Sequence, residues 1–241
     1  MTKKIVFITG ANKGIGYEVA RQLAAQEFIV LLGARDPQRG TAAAQKLIAL
    51  GEVHFVPIDV ADEQSIAAAA EMVSKQWGKV DVLVNNAGIC PELSANIRPA
   101  ALELTMLKET FETNLFGAVA VIHHFLPLLK QSETAQIINV SSTLGSSASM
   151  VDPNNMYYGA NLLAYNASKS ALNAVSVAFA KDLASEQIRV NSITPGWVKT
   201  DLGTDAAYLT VEQGAAIIVK LATMENLPTG KFLDDNGEVP W

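Results

Sequence analysis

Short β-branched runs alternate with longer stretches of helical periodicity from one end of the chain to the other. That alternation leaves few folds open. The strand-like runs are Lys4–Thr9, Phe28–Gly33, Val53–Pro57, Val82–Asn85, Gln136–Ser141 and Arg189–Thr194, with a last one near Lys231–Leu233. Between them lie Ile15–Gln26, Gln38–Leu50, Glu63–Trp77, Leu107–Lys130, Ala164–Ser185 and Val211–Thr223, each apolar at three- to four-residue spacing. Ile5-Val6-Phe7-Ile8 and Ile137-Ile138 are apolar on both strand faces, as a parallel sheet covered on both sides requires. The pattern predicts an α/β fold with a doubly wound, Rossmann-type parallel sheet and helices on both faces. No repeat, Ser/Gly linker or low-complexity tract interrupts it, so residues 1–241 read as a single domain. A chain of this length buries about 70–75% of its unfolded surface and needs no metal or disulfide staple.

Charge and cysteine content exclude several classes of partner. Lys plus Arg number 18 and Asp plus Glu 24, a net charge of −6. Nucleic acid and anionic membrane surfaces need clustered positive charge, so neither is expected as a partner. Cys90 is the one cysteine, which excludes an intrachain disulfide and a multi-Cys zinc site. His54, His123 and His124 have no metal-ligand spacing with Cys90 or with an acidic pair, so no metal is expected. The apolar run Ile5–Ile8 is too short for a signal-peptide core. Leu115–Leu129 is broken by His123 and His124 and falls short of the about 20 residues that span a bilayer. The expected location is the cytoplasm.

The first strand runs into Thr9-Gly10-Ala11-Asn12-Lys13-Gly14-Ile15-Gly16 and then a helix. Glycines at such a turn let a pyrophosphate approach the backbone, and the helix N-terminus offers free N–H donors to it. The strand–turn–helix context makes this a dinucleotide cradle. The second strand ends Ala34-Arg35-Asp36. Arg35 there, with Lys13 in the turn and no carboxylate at the strand end, suits a 2′-phosphate, because guanidinium pairs bidentately with phosphate. NADPH/NADP+ is therefore the expected cofactor. Asp36 stands one residue late and pairs with Arg35 or Arg39.

Tyr165 and Lys169 lie four apart on a predicted helix and share one face. A tyrosine pKa of about 10 is too high for efficient proton transfer at neutral pH. A neighbouring ammonium is expected to lower it.

The spacing G-x-x-x-G-x-G resembles that of the short-chain dehydrogenase/reductase family. Further motifs follow in the family's order: Asp59 after the third strand, Asn85-Asn86-Ala87-Gly88 after the fourth, Asn114 in the long helix, Ser141-Ser142 after the fifth, Tyr165-Asn166-Ala167-Ser168-Lys169, and Pro195-Gly196 with Thr200. The resemblance implies a catalytic group of Asn114, Ser142, Tyr165 and Lys169. Tyr165 is the proton donor, Ser142 bonds the same substrate oxygen, and Asn114 holds a water leading from Lys169. Ser142 is preferred to Ser141 because Ser142-Thr143-Leu144-Gly145 fits the family's S-x-x-G. The implied cofactor-binding residues are Gly10, Asn12, Lys13, Gly14, Ile15, Gly16, Arg35, Asp59, Val60, Asn86, Ala87, Gly88, Tyr165, Lys169, Pro195, Gly196, Val198 and Thr200. In NAD-preferring relatives an Asp usually stands where Ala34 is.

Ser142 and Tyr165 are farther apart than in simple members of the family, with the extra residues in 145–161. The carbonyl reductase-like branch carries inserts at this place, and Gly33–Asp36 and Pro195–Asp201 also resemble that branch. The resemblance implies a small-molecule aldehyde or ketone reduced to an alcohol. A 3-oxoacyl or steroid-type dehydrogenase and a non-catalytic dinucleotide-binding sensor are the alternatives. Met150, Met156, Tyr157 and Tyr158 either line an apolar pocket or pack the insert loop. Trp197 borders the site or packs, and Trp241 is expected to dock on the body. Cys90 reads as a partly buried hydrophobe. Monomer, homodimer and homotetramer stay open, because family members pair through the helices that hold Asn114 and Tyr165 and inserts before the Tyr can block that surface.

Overall fold

Every residue of the first strand, Ile5–Ile8, is buried, so apolar layers must cover it from both sides. The computed structural model describes residues 3–95 and 97–241, with Ser94 described by its backbone alone. In chain order the elements are β1 (Ile5–Ile8), α1 (Gly14–Ala24), β2 (Ile29–Ala34), α2 (Pro37–Leu47), β3 (Val53–Pro57), α3 (Glu63–Trp77), β4 (Val82–Asn85), α4 (Pro91–Ala95), α5 (Leu104–Phe111), α6 (Gly117–Leu129), β5 (Gln136–Val140), α7 (Ser147–Met150), α8 (Leu163–Asp182), β6 (Arg189–Ile193), α9 (Val211–Thr223), β7 (Phe232–Asp234) and β8 (Gly237–Glu238).

The strands form one sheet in the order β3-β2-β1-β4-β5-β6-β7-β8. Every pairing is parallel except β7 with β8. One apolar layer takes Val19 and Leu23 of α1, Leu47 of α2 and Ile218 of α9 against Val6, Ile8 and Val30. The other takes Ile66 of α3, Val121 and Phe125 of α6 and Ala180 of α8 against Phe7, Leu31 and Leu83. This is the doubly wound architecture that the alternation predicts. Strand order reverses between β1 and β4, and such a switch point opens a crevice at the carboxyl ends of the strands. No helix among the described residues is long and apolar enough to cross a membrane.

The expected helix over Leu107–Lys130 is interrupted. A π turn at Glu112–Phe116 separates α5 from α6. It coincides with a long-range tie: Asn114 accepts from the Ile89 N–H at 2.8 Å and donates to the Ile89 carbonyl at 2.9 Å. An extra residue in the turn, the geometry of a π-bulge, accommodates that side chain. Three short elements escape the periodicity reading, namely α4, α7 and β8, because none is long enough to show a period. Trp241 docks as expected, its ring stacked on Phe232 at 5.7 Å.

Asp81 anchors the central strands. It is buried and accepts from Ile5 N at 2.8 Å, Lys79 Nζ at 2.8 Å and Ser132 Oγ at 2.5 Å. Asp81→Ala strands a buried amide and removes a charge-assisted contact. It should lower unfolding stability by roughly 2–4 kcal/mol, read as a drop in Tm of several degrees by calorimetry.

Candidate active site

The glycine turn is held against the end of β4. Thr9 Oγ1 accepts from the Asn86 and Ala87 amides, both at 3.0 Å. Asn86 Nδ2 donates to the carbonyls of Thr9 at 2.9 Å and Gly10 at 3.2 Å. Gly10 takes φ +64°, and a Cβ there would meet Ala87 Cα at 3.0 Å. At Gly16 a Cβ would lie 2.5 Å from Asn86 Nδ2. The turn can have this shape only with glycine at both places. It leads into α1, whose first N–H groups are an anion-binding end.

Opposite the turn stands the segment after β6. Thr200 Cγ2 would be 3.4 Å from a Cβ on Gly14, so 195–201 faces the cradle across a narrow gap. Lys13 Nζ bonds Asp201 Oδ2 at 2.5 Å between two exposed side chains. Asp36 accepts from the Arg39 amide at 3.0 Å and pairs with its guanidinium at 3.5 Å, so Asp36 belongs to Arg39 and not to Arg35. Arg35 is exposed and lines the cleft, with no ion pair among the described residues.

Tyr165 and Lys169 sit on one face of α8 and are 8% and 3% exposed. Lys169 Nζ lies 5.6 Å from the Tyr165 ring centre and donates to the Val140 carbonyl at 2.7 Å. Burial pulls the Lys169 ammonium down from 10.5 to about 8, with the neighbouring Cys90 opposing. Burial pushes the Tyr165 phenol above its ordinary value; Cys90 adds to the rise, and the Ser142 hydroxyl beside it pulls back. The expectation that Lys169 lowers the phenol is therefore not met in this structure. Loss of water around the ring is the largest cause of the rise. Cys90, also in the cleft, is held to about 11 by burial first and by the Glu92 charge in addition. A thiol so shifted is not a thiolate at neutral pH.

The two candidate serines divide. Ser141 Oγ donates to the Lys169 carbonyl at 3.3 Å and is buried. Ser142 is half-buried, lines the cleft near Tyr165 and receives the Leu144 amide at 3.2 Å. Asn114 does not line the cleft. It is buried behind it, bonded to Ile89 and donating to Ser168 Oγ at 3.1 Å. A Cβ on Gly88 would stand 3.3 Å from Asn114 Oδ1 and 3.5 Å from Lys169 Nζ.

All the sequence-predicted residues except Asn114 and Gly16 line one cleft of about 910 Å³. One end carries Gly10, Asn12, Arg35 and Asp59. The other is apolar around Tyr165, with Ile89, Leu93, Leu144, Leu162, Trp197 and Leu202. Within the insert, Met156 and Tyr157 line the cleft, whereas Met150 and Tyr158 do not. The Tyr157 hydroxyl meets that of Tyr208 at 2.9 Å. His54, His123 and His124 lie outside the cleft, against Trp77, Phe179 and Glu63. Sequence reading missed Glu92, which is buried and accepts the Tyr165 amide at 2.7 Å. No periodicity or motif marks a lone glutamate in a helix as short as α4.

The family model described as short chain dehydrogenase matches residues 4–210. A short-chain dehydrogenase of Penicillium roqueforti, anuI, is 36% identical over 98% of this chain and 95% of its own. Carbonyl reductase [NADPH] 1 of Sus scrofa is 32% identical over 99% of this chain and 94% of its own. Among solved structures, an NADPH-bound carbonyl reductase from chicken fatty liver superposes with a TM-score of 0.89 at 29% identity, covering 100% of both chains.

The low Lys169 value has a consequence for stability. Burying the protonated amine opposes folding at pH values below 8. Between about 8 and 10 the native state sheds this proton while the unfolded chain keeps it, so that opposition fades as pH rises. Lys169→Met has no such term. Melts at pH 7 and pH 10 should therefore show the variant's stability relative to the parent falling as pH rises. A difference independent of pH would contradict the assignment.

Proposed function

Because the chain belongs to the short chain dehydrogenase family, we propose that it reduces an aldehyde or ketone to an alcohol with NADPH, by the carbonyl reductase type of reaction. The observation that carries the reading is the buried Tyr165–Lys169 pair with Ser142 beside it, facing a cleft that starts at the glycine turn. The relatives named carbonyl reductase [NADPH] support it in parallel.

The residues fit a dinucleotide. Gly10, Asn12, Lys13, Gly14 and Ile15 face the cleft at the N-terminus of α1 and would hold the pyrophosphate, with Gly16 keeping the turn tight. Asp59 and Val60 would border the adenine. Asn86, Ala87, Gly88, Pro195, Gly196, Val198 and Thr200 would enclose the nicotinamide side. Arg35 would take the 2′-phosphate; Lys13, already paired with Asp201, contributes less. When bound there, a reduced nicotinamide would supply the hydride that the carbonyl carbon needs.

Tyr165 donates its proton to the carbonyl oxygen, and Ser142 orients that oxygen. The raised phenol stays protonated at neutral pH, which suits a donor in the reducing direction. Lys169 places a cation beneath the ring and draws its proton through the region that Asn114 organises. The apolar walls from Ile89, Leu144, Met156, Tyr157, Leu162 and Trp197 favour a neutral, largely hydrocarbon carbonyl compound. We read the whole of 1–241 as one catalytic unit acting in the cytoplasm, with the 145–161 insert as a substrate wall.

Tyr165→Phe should cut carbonyl-dependent NADPH oxidation by at least about 10²-fold while fluorescence titration shows NADPH still bound. Undiminished turnover of a ketone and aldehyde panel would remove Tyr165 as the donor. Arg35→Ala should weaken NADPH binding by roughly tenfold or more, the worth of a charge-assisted contact. NADH binding should change little. Equal losses for both cofactors would exclude Arg35 from the 2′-phosphate.

A further inference from the structure

We propose that Glu92 is a positioning residue for this reaction: its carboxylate anchors the first turn of α8 and sets where Tyr165 stands against the loop after β4. The inference rests on the functional reading above.

Glu92 is 1% exposed, and its Oε2 accepts the Tyr165 N–H at 2.7 Å across 73 positions of sequence. Tyr165 is the third residue of α8, so its amide is among the first four, which no helix carbonyl can satisfy. The residue that begins the helix, Leu162, has no side-chain acceptor to offer. By contrast α2, α3 and α9 are capped by their own adjoining Asp36, Asp62 and Thr210. The helix that carries Tyr165 is thus capped from a distant loop.

A carboxylate suits this place, because the helix dipole favours negative charge there and the bond is charge-assisted. Its burial needs a reason, since unpaired buried carboxylates are costly. Glu92 is in none of the ion pairs among the described residues, and its Oε1 has no hydrogen-bond partner among them. Among the described residues the carboxylate bonds one group, the Tyr165 amide. The same loop is fastened a second time through Ile89 to Asn114. Gly88, Ile89 and Cys90, at and beside the first tie, line the cleft. The pair of ties fixes the spacing between the loop that would flank the nicotinamide and the phenol that would deliver the proton. Small displacements in such a geometry cost rate far more than binding.

The test compares the full chain with Glu92→Ala, Glu92→Gln and Glu92→Met. Steady-state kinetics on a carbonyl panel, NADPH fluorescence titration and hydrogen exchange over residues 160–170 are measured for each. Glu92→Ala is expected to lose about 10- to 100-fold in kcat, with NADPH affinity within about threefold and faster exchange at Tyr165. Glu92→Gln, which keeps an acceptor oxygen, should stay within about threefold of the parent. If the alanine variant fails to fold, Glu92→Met, similar in size but without an acceptor, must show the same kcat loss. Unchanged kcat in the variants without an acceptor overturns the proposal, as does a Gln variant as impaired as those. A parallel fall of NADPH affinity and kcat also overturns it, by marking a general structural role. A parent chain that turns over no carbonyl defeats the functional reading instead. The exchange measurement then still reads the anchor, and unchanged protection at Tyr165 in Glu92→Ala refutes it.

Discussion

The exchange of hydrogen bonds between Thr9 and Asn86 joins the carboxyl ends of β1 and β4, and the cleft depends on it. These two strands are neighbours in the sheet yet feed helices on opposite faces, which is why a crevice opens between them. Left to sheet twist alone, the two loops would diverge. Thr9 and Asn86 instead hold the glycine turn against the Asn86–Gly88 loop, so closely that Gly10 and Gly16 leave no room for a methyl group. A cradle built this way offers backbone amides at fixed positions.

A buried polar ladder continues the same logic deeper in the sheet. Asn85 Nδ2 donates to Asn139 Oδ1, and Asn139 Nδ2 donates to Ser176 Oγ, which Ser192 Oγ also reaches. It ties β4, β5 and β6 to α8. Buried amides and hydroxyls with defined partners tolerate only one register. Tyr165 and Lys169 are carried on the helix that this ladder clamps. Their burial runs against ordinary stability, since both groups leave water and shift their pKa values away from the charged form. The clamp is what keeps a helix with such an unfavourable pair in place.

Where sequence is legible depends on whether a feature repeats or sits in a motif. The sheet, its parallel sense and the six long helical stretches follow from periodicity that extends over many residues. The glycine turn, Asn86–Gly88, Ser142 and the Tyr165–Lys169 pair follow from short patterns in a fixed order, and the structure brings them to one cleft. Three things were not legible. The π turn at Asn114 depends on a bond to Ile89, 25 positions away, which no local pattern announces. The rise of the Tyr165 phenol depends on how completely the fold dries the ring, a property of packing and not of the Tyr–Lys spacing. Glu92 belongs to the same class: its meaning appears only when α4 meets the start of α8.

The two ends of the cleft are built from different material, and this bears on how the protein can choose a substrate. At the end near α1 the glycine turn is backbone held by Thr9–Asn86, with Asn12, Arg35 and Asp59 around it. Side chains on the loops after β4, β5 and β6 make the other end: Leu93, Met156, Tyr157, Trp197 and Leu202. Tyr157 and Tyr208 meet there by hydroxyl contact, linking the 145–161 insert to the segment before α9. None of these side chains belongs to a strand or carries the sheet's register. The glycine-built end and the apolar wall are therefore mechanically separable over most of the cleft. They meet in the loop from Gly88 to Leu93, fastened to Asn114 on one side and to the amide of Tyr165 on the other, and in 195–202, which carries Trp197 and Leu202 beside Gly196 and Thr200. Under the proposed function, substitutions at Met156 or Tyr157, which lie outside both segments, would reshape the wall without moving the phenol.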